Sequence, residues 1–297
     1  MKILLTGRNG QVGYELARTL HGLGEVVALD RAGLDLADLP RVREALRAIK
    51  PALIVNPAAY TAVDLAESQS EMAMRINAET PAVMAEEARR LGAALIHYST
   101  DYVFDGTKTD AYVEDDAPNP LNAYGRSKLA GEQAIRASGV PYLILRTSWV
   151  YGLRGKNFLR TVQRLAQERD ELRIVADQFG APTWCRTIAE TTAHIVARLQ
   201  AESGSGPARV IADEVWQQYS GLYHLTAQGR TTWHGFAQAV VDHAAGDRKP
   251  AVLPITTEEY PLPAQRPRNS ALSSAKLMRA FCGLPDWETA LRLCLEG

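Results

Sequence analysis

Lys2-Ile3-Leu4-Leu5-Thr6-Gly7-Arg8-Asn9-Gly10-Gln11-Val12-Gly13 decides how this chain folds. Its apolar start reads as a short buried strand over Lys2–Thr6. Val12, Leu16 and Leu20 then recur on one face of a helix over Gln11–His21. Between them Gly7, Gly10 and Gly13 let the backbone turn tightly and approach a pyrophosphate closely. The helix N-terminus offers free N–H groups and a partial positive charge to such a group. Three glycines alone are a weak signal. Here a strand precedes them, a helix follows, and Asp30 ends the next strand, about 20 residues beyond Gly10, where an acid accepts hydrogen bonds from an adenosine ribose.

Working outward, short apolar runs alternate with helical patterns. Val26–Leu29, Leu53–Asn56, Ala94–Tyr98 and Tyr142–Arg146 read as strands. Val42–Ile49, Glu71–Arg90 and Tyr124–Ala137 read as helices. Repeated β-α-β with continuous apolar strands predicts an α/β fold: a Rossmann-like, doubly wound parallel sheet covered on both faces. After Trp149 the alternation becomes irregular. Ser203–Pro207 reads as a surface loop, Gly221–Thr226 as a strand and Thr232–Ala245 as a helix. Pro261–Asn269, with three prolines and two arginines, fits no regular element. The expected division is a dinucleotide-binding lobe over 1–148 plus about 184–222. A smaller α/β substrate lobe takes about 149–183 plus 223–297.

The chain has 297 residues, 33 Lys and Arg against 34 Asp and Glu, and a formal charge of −1, without the basic excess of a general nucleic-acid binder. No apolar run approaches the roughly 18–20 residues of a membrane span. The apolar start is cut short by Gly7, so it reads as a strand and not as an export leader. Cys185, Cys282 and Cys294 are odd in number and widely spaced, which disfavours a disulfide framework or a zinc site. The expectation is a cytoplasmic enzyme with reduced thiols.

The chemistry centres on Tyr124-Gly125-Arg126-Ser127-Lys128. Tyr124 and Lys128 stand i, i+4 on a helix and point the same way. Reducing a ketone takes a hydride and a proton. Tyrosine, with an ordinary pKa of about 10, is a reluctant donor, and a nearby ammonium is expected to lower that value. Lys128 can also hydrogen-bond a nicotinamide ribose. Ser99 and Thr100 follow a parallel strand at the end where ligands bind. Asp30 would repel a 2′-phosphate, whereas Arg8 and Arg31 flank it and can neutralise one. Both NADH and NADPH are therefore expected to serve.

The Gly-x-x-Gly-x-x-Gly spacing resembles the extended short-chain dehydrogenase/reductase superfamily. Asp35-Leu36 looks like its adenine-binding pair. Asn56-Pro57-Ala58-Ala59-Tyr60 is similar to its Asn-Ala-Ala-Ala segment, with Pro57 a departure. Within the superfamily, Thr61–Glu67, His97–Gly106 and Arg146–Tyr151 resemble the dTDP-4-dehydrorhamnose reductases. Asn157-Phe158, Asp177–Thr183 and Arg266–Ser270 continue the likeness, which runs from Lys2 to the last helices. The resemblance implies NAD(P)H-dependent reduction of the C4 ketone of dTDP-4-dehydro-β-L-rhamnose to dTDP-β-L-rhamnose. Gly10, Gln11 and Val12 would contact the cofactor diphosphate. Asp30, Asp35 and Leu36 would hold the adenosine, and Ala59, Tyr60, Thr61 and Tyr98 would line the groove. Tyr124 would donate the proton with Lys128 as its partner. Thr100 would be the third catalytic hydroxyl. Thr100 and Asp101 would touch the sugar, Trp149 would pack on it, and Arg266 would reach the nucleotide diphosphate.

Some relatives hold Mg²⁺ at a dimer contact through carboxylates. Glu15 matches the first such position, but Trp184-Cys185-Arg186 stands where a second acid belongs, and an arginine opposes a cation. No metal is expected, and the protein reads as a monomer or weak homodimer. Three other readings stay open. One is a reductase acting on another nucleotide deoxysugar, and one is an epimerase. The third is a non-catalytic dinucleotide-binding subunit like the regulatory subunit of methionine adenosyltransferase. A sugar dehydratase would carry Glu after Thr100-Asp101, where this chain has Tyr102.

Overall fold

The computed structural model describes residues 1–204, 210–243 and 249–296. Ser205–Pro207 of the expected loop and Ala244-Ala245 of the expected helix lie outside them. Six parallel strands form the central sheet: β1 (Lys2–Leu5), β2 (Glu25–Ala28), β3 (Leu53–Asn56), β4 (Ala94–Thr100), β5 (Tyr142–Thr147) and a sixth, Gly221–His224. Their spatial order is β2-β1-β3-β4-β5-sixth. The chain thus leaves β1 in one direction and β3 in the other, and ligands of open α/β sheets bind at that reversal.

Successive strand residues point to opposite faces. Ile3, Leu53, Val55, Ile96 and Leu145 pack on one side, against the helices Gln11–Thr19, Cys185–Glu202 and Asp213–Tyr219. Leu4, Ile54, Leu95 and Ile144 pack on the other, against Leu39–Ile49, Thr80–Leu91 and Ala123–Ser138. Both faces are covered, which is why apolar side chains line both sides of these strands. A separate core gathers Tyr151, Leu159, Val162, Phe236, Trp287 and Leu291. There Glu171–Val175 pairs in parallel with Ala251–Ile255.

Three expected elements change. The helix expected from Val42 begins at Leu39, because Asp38 Oδ1 accepts the Arg41 amide at 3.0 Å and caps it. β4 continues through Ser99 to Thr100, paired with Arg146 and Thr147 of β5. The single helix expected over Glu71–Arg90 widens into a π-helical stretch at Arg75–Glu79. Pro81 supplies the reason: it has no N–H to return to the carbonyl of Asn77.

The glycine loop is shaped by contact as well as by torsion. Gly7 has φ +61°, and a Cβ on Gly13 would lie 2.1 Å from the Gly7 oxygen, so neither position accepts a side chain.

Beneath the sheet ends, Arg146 and Glu132 form a bidentate pair at 2.8 and 2.6 Å, each only 1% exposed. Ser99 adds a hydrogen bond to Glu132 at 2.5 Å. Removing one partner leaves a buried charge alone. Arg146→Met is expected to cost about 3–5 kcal/mol in urea unfolding, and Arg146→Met with Glu132→Met to recover most of it. Equal losses in the single and double variants would contradict this.

Candidate active site

A cleft of about 300 Å³ opens at the end of β1, lined by Gly7, Asp30, Asp35, Leu36, Ala59, Tyr60 and Thr61 among others. Residues expected from four separate stretches of sequence thus meet in one groove. Gly10 is the N-cap of the first helix and carries no side chain there, so the backbone amides of that first turn are what the chain presents. Together with the side-chain-free backbone at Gly7 and Gly13, this cradle fits a dinucleotide diphosphate. The Gln11 side chain faces elsewhere, accepting Asn157 Nδ2 at 2.8 Å, and Val12 packs into the core.

Asp30 accepts the Gly33 amide and Asn9 Nδ2, both at 3.0 Å. The Gly33 amide above all holds its carboxyl below the usual range, and Arg8 adds to this. Arg31 leans 3.7 Å from Asp35. Tyr60 is fixed from behind: Asn77, in the π-helical stretch, bonds both its amide (2.8 Å) and its carbonyl (3.0 Å). Tyr98 departs from expectation. Its ring lies in the apolar core on the far side of the sheet, its hydroxyl 2.7 Å from Thr192. What Tyr98 gives the site is its backbone carbonyl.

The Ala123–Ser138 helix carries Tyr124 and Lys128, the pair expected to be reactive. Asn122 caps it by accepting the Gly125 amide at 2.8 Å, and Glu67 accepts the Ala123 amide at 2.8 Å. Gly125 lets the helix press on the preceding turn, since a Cβ there would lie 2.2 Å from the Tyr102 oxygen. Tyr124 meets the Tyr102 ring edge-on at 5.8 Å. Burial pushes the Tyr124 phenol up to about 12, with the Thr100 hydroxyl working against the rise. Lys128, the cation expected to act on this phenol, follows one turn along the helix. Lys128 Nζ donates to the Tyr98 carbonyl at 2.6 Å and lies 3.2 Å from His97 Nε2. Burial brings the Lys128 amine down to about 8, opposed by Glu132. Thr100 Oγ1 donates to Asp101 Oδ1 at 3.0 Å. Burial pushes the Asp101 carboxyl up to about 6, against the hydroxyls of Ser270 and Thr100.

Trp149 stands where the chain leaves β5. Its backbone is left-handed, φ +46°, a strained state for a bulky residue. Its ring stacks on Trp233 at 3.6 Å, and Gly180 comes close enough that a Cβ would lie 2.4 Å from the indole. Arg266 is not free to reach a diphosphate. Its guanidinium grips Asp64 through both carboxylate oxygens, at 2.5 and 2.7 Å. That clasp ties the C-terminal loop to the segment just beyond Thr61.

Among the described residues no group of three His, Cys, Asp or Glu side chains is placed to hold a metal ion. Arg186 pairs with Glu190 at 3.3 Å. No helix among the described residues is long and apolar enough to cross a membrane. Several residues of the site escaped the sequence reading. Asn122 left a legible signal, a capping residue two positions before the tyrosine. Asp64 and His97 lie in blocks that carry the family resemblance, but their partners are distant in the chain and gave no local cue to a role; Asn77 left no signal.

Residues 1–297 match the family model for the RmlD substrate binding domain. A dTDP-4-dehydrorhamnose reductase of Burkholderia thailandensis is 49% identical over 100% of this chain and 98% of its own. One of Escherichia coli is 43% identical over 100% and 97%. The solved structure of the Bacillus anthracis dTDP-4-dehydrorhamnose reductase with NADP is 34% identical, with TM-score 0.88, covering 99% of this chain and 98% of that one. With a matched family model, near-half identity to a relative and a shared fold, all over essentially the full length, the chain belongs to the dTDP-4-dehydrorhamnose reductase family.

Proposed function

We propose that the protein reduces the C4 ketone of dTDP-4-dehydro-β-L-rhamnose to dTDP-β-L-rhamnose with NADPH or NADH. One observation carries the reading. Half-buried Tyr124 and fully buried Lys128 stand one turn apart on the Ala123–Ser138 helix, and Lys128 Nζ donates to the Tyr98 carbonyl of β4 at 2.6 Å. The cradle, Asp30 and the Asp35-Leu36 pair would hold the dinucleotide, which supplies the hydride to C4 when bound. Tyr124 gives its phenolic proton to the C4 oxygen as that atom gains charge. A phenol held near 12 yields its proton only where a cation offsets the phenolate, and Lys128 is the cation on that helix face. The Thr100 hydrogen is directed at Asp101, which leaves Tyr124 as the donor toward C4. Trp149 and Asp101 flank the sugar. Arg266 acts by closing the C-terminal loop onto Asp64. We further propose a cytoplasmic monomer or weak homodimer. The free cysteines and Arg186, at the position of the second acid, support this.

The direct test is incubation with dTDP-4-dehydrorhamnose and NADPH without added metal. It is followed at the reduced-nicotinamide band, with the sugar identified by NMR. Oxidation with rhamnose formed is expected; another C4 epimer would reject the stereochemistry, and no oxidation would reject the substrate. Tyr124→Phe should lower kcat about 10²–10⁴-fold with cofactor affinity unchanged, and parent-like turnover would exclude Tyr124 as donor. Asp30→Ala should weaken NADH about 10-fold or more, by losing a charged hydrogen-bond acceptor, while NADPH binding holds or improves. Fluorescence titration reads both.

Asp101 gives a pH dependence of stability. Its carboxyl is raised from 3.8 to about 6, so the fold favours the neutral acid. That advantage is complete below about pH 4 and is lost as pH rises through about 6. Asp101→Asn stays neutral. It should therefore gain on the order of 2–3 kcal/mol over the parent at pH 8, relative to their difference at pH 4, while losing affinity for the sugar. A pH-independent difference in unfolding midpoint would contradict this.

A further inference from the structure

Four buried polar side chains run in single file from the glycine loop to the reactive lysine. Thr6 Oγ1 donates to Asn56 Oδ1 at 2.6 Å. Asn56 Nδ2 lies 3.1 Å from His97 Nδ1, and His97 Nε2 lies 3.2 Å from Lys128 Nζ. None of the four is more than 2% exposed. Thr6 just past β1, Asn56 at the end of β3 and His97 within β4 share the sheet face that meets the Ala123–Ser138 helix.

The direction of the first bond constrains all the others. With Thr6 donating, the Asn56 amide presents its NH₂ to His97. Nδ1 must then accept, and a neutral imidazole carries its hydrogen on Nε2. That hydrogen points at Nζ, where it finds a lone pair only on a neutral amine. A charged Lys128 requires the reverse order throughout. Nε2 accepts from the ammonium, Nδ1–H donates to the Asn56 oxygen, and the Asn56 NH₂ donates to Thr6. The imidazole cannot escape by becoming charged, because burial and the nearby ammonium both hold its pKa well below the ordinary value.

We propose that His97, held by Asn56 and Thr6, is a positioning residue that couples the charge on Lys128 to the direction of this hydrogen-bond file. The inference rests on the role given to Lys128 above. In its two directions the file serves the two charge states of one amine without a change of fold. The proton gained or lost by Nζ is matched by a tautomer exchange in the ring and a turn of one amide. The other charged and titratable groups around Nζ are few. Glu132 stands one turn along the helix, locked to Arg146 of β5. Tyr124 stands one turn back, and Asp101 acts on Tyr124. From the sheet, among the described residues, the uncharged Asn56 and Thr6 continue the file beyond His97.

Nitrogen-15 NMR of protein labelled at its six histidines tests this, with His97→Gln identifying the signal. The protonated and bare nitrogens of the His97 ring should exchange roles through a transition near pH 8, and Lys128→Met should abolish that transition. A ring that keeps one tautomer from about pH 6 to about pH 10 in the parent would overturn the proposal. Asn56→Asp supplies a second reading. Its carboxylate accepts Nδ1–H, leaves Nε2 as a standing acceptor and favours the ammonium. The basic limb of the kcat profile should move up by about one pH unit. A purely structural role would lower kcat at every pH and leave the limb in place, which also overturns the proposal. The NMR transition needs no substrate. A coupled ring in a protein that does not turn over the sugar would count against the proposed reaction alone.

Discussion

A lysine ammonium that is 1% exposed constrains everything near it. A cation removed from water must be met by oriented dipoles or opposite charge, or it gives up its proton. The surroundings of Lys128 do both in part. The Tyr98 carbonyl faces Nζ from β4, Glu132 stands a turn away, and burial still depresses the amine. The sheet register follows from this requirement. Only parallel strands ending at one level bring a carbonyl of β4, an amide of β3 and the glycine loop of β1 to the same helix face. The Asn56–His97 register pair fixes that level.

Much of this was legible along the chain. The apolar strands, the glycine loop and the Tyr124–Lys128 spacing are local patterns, and local patterns survive folding because nearest-neighbour geometry produces them. Seven groove residues from separate stretches met in one cleft for that reason. The side of the sheet on which Tyr98 lies was legible too. Strand residues alternate, so Tyr98 must point away from His97 and Ser99, toward Thr192. Reading β4 by alternation would have placed the ring in the core from the start.

Other features could not be read that way. Arg266 and Asp64 lie 202 residues apart, and nothing in either neighbourhood names the other. A basic residue in a proline-rich loop looks available for phosphate until its partner is seen. The π-helical stretch is an intermediate case. Pro81 marks a fault in the helix, but only the packed structure shows that Asn77 turns the fault into a support for Tyr60. The strain at Trp149 is also invisible in sequence, since tryptophan has no propensity for a left-handed backbone.

The chain passes repeatedly between the core on one face of the sheet and the separate core around Phe236. It leaves the sheet near Trp149, returns at Cys185, leaves after Leu225, and comes back for Leu277 and Leu284 before ending at Trp287 and Leu291. A body joined by one linker swings like a door. A body joined at several separated points can only flex, because every connection must bend together. The mechanical consequence is a stiff cleft. Such a connection favours small shear displacements over a hinge-like opening.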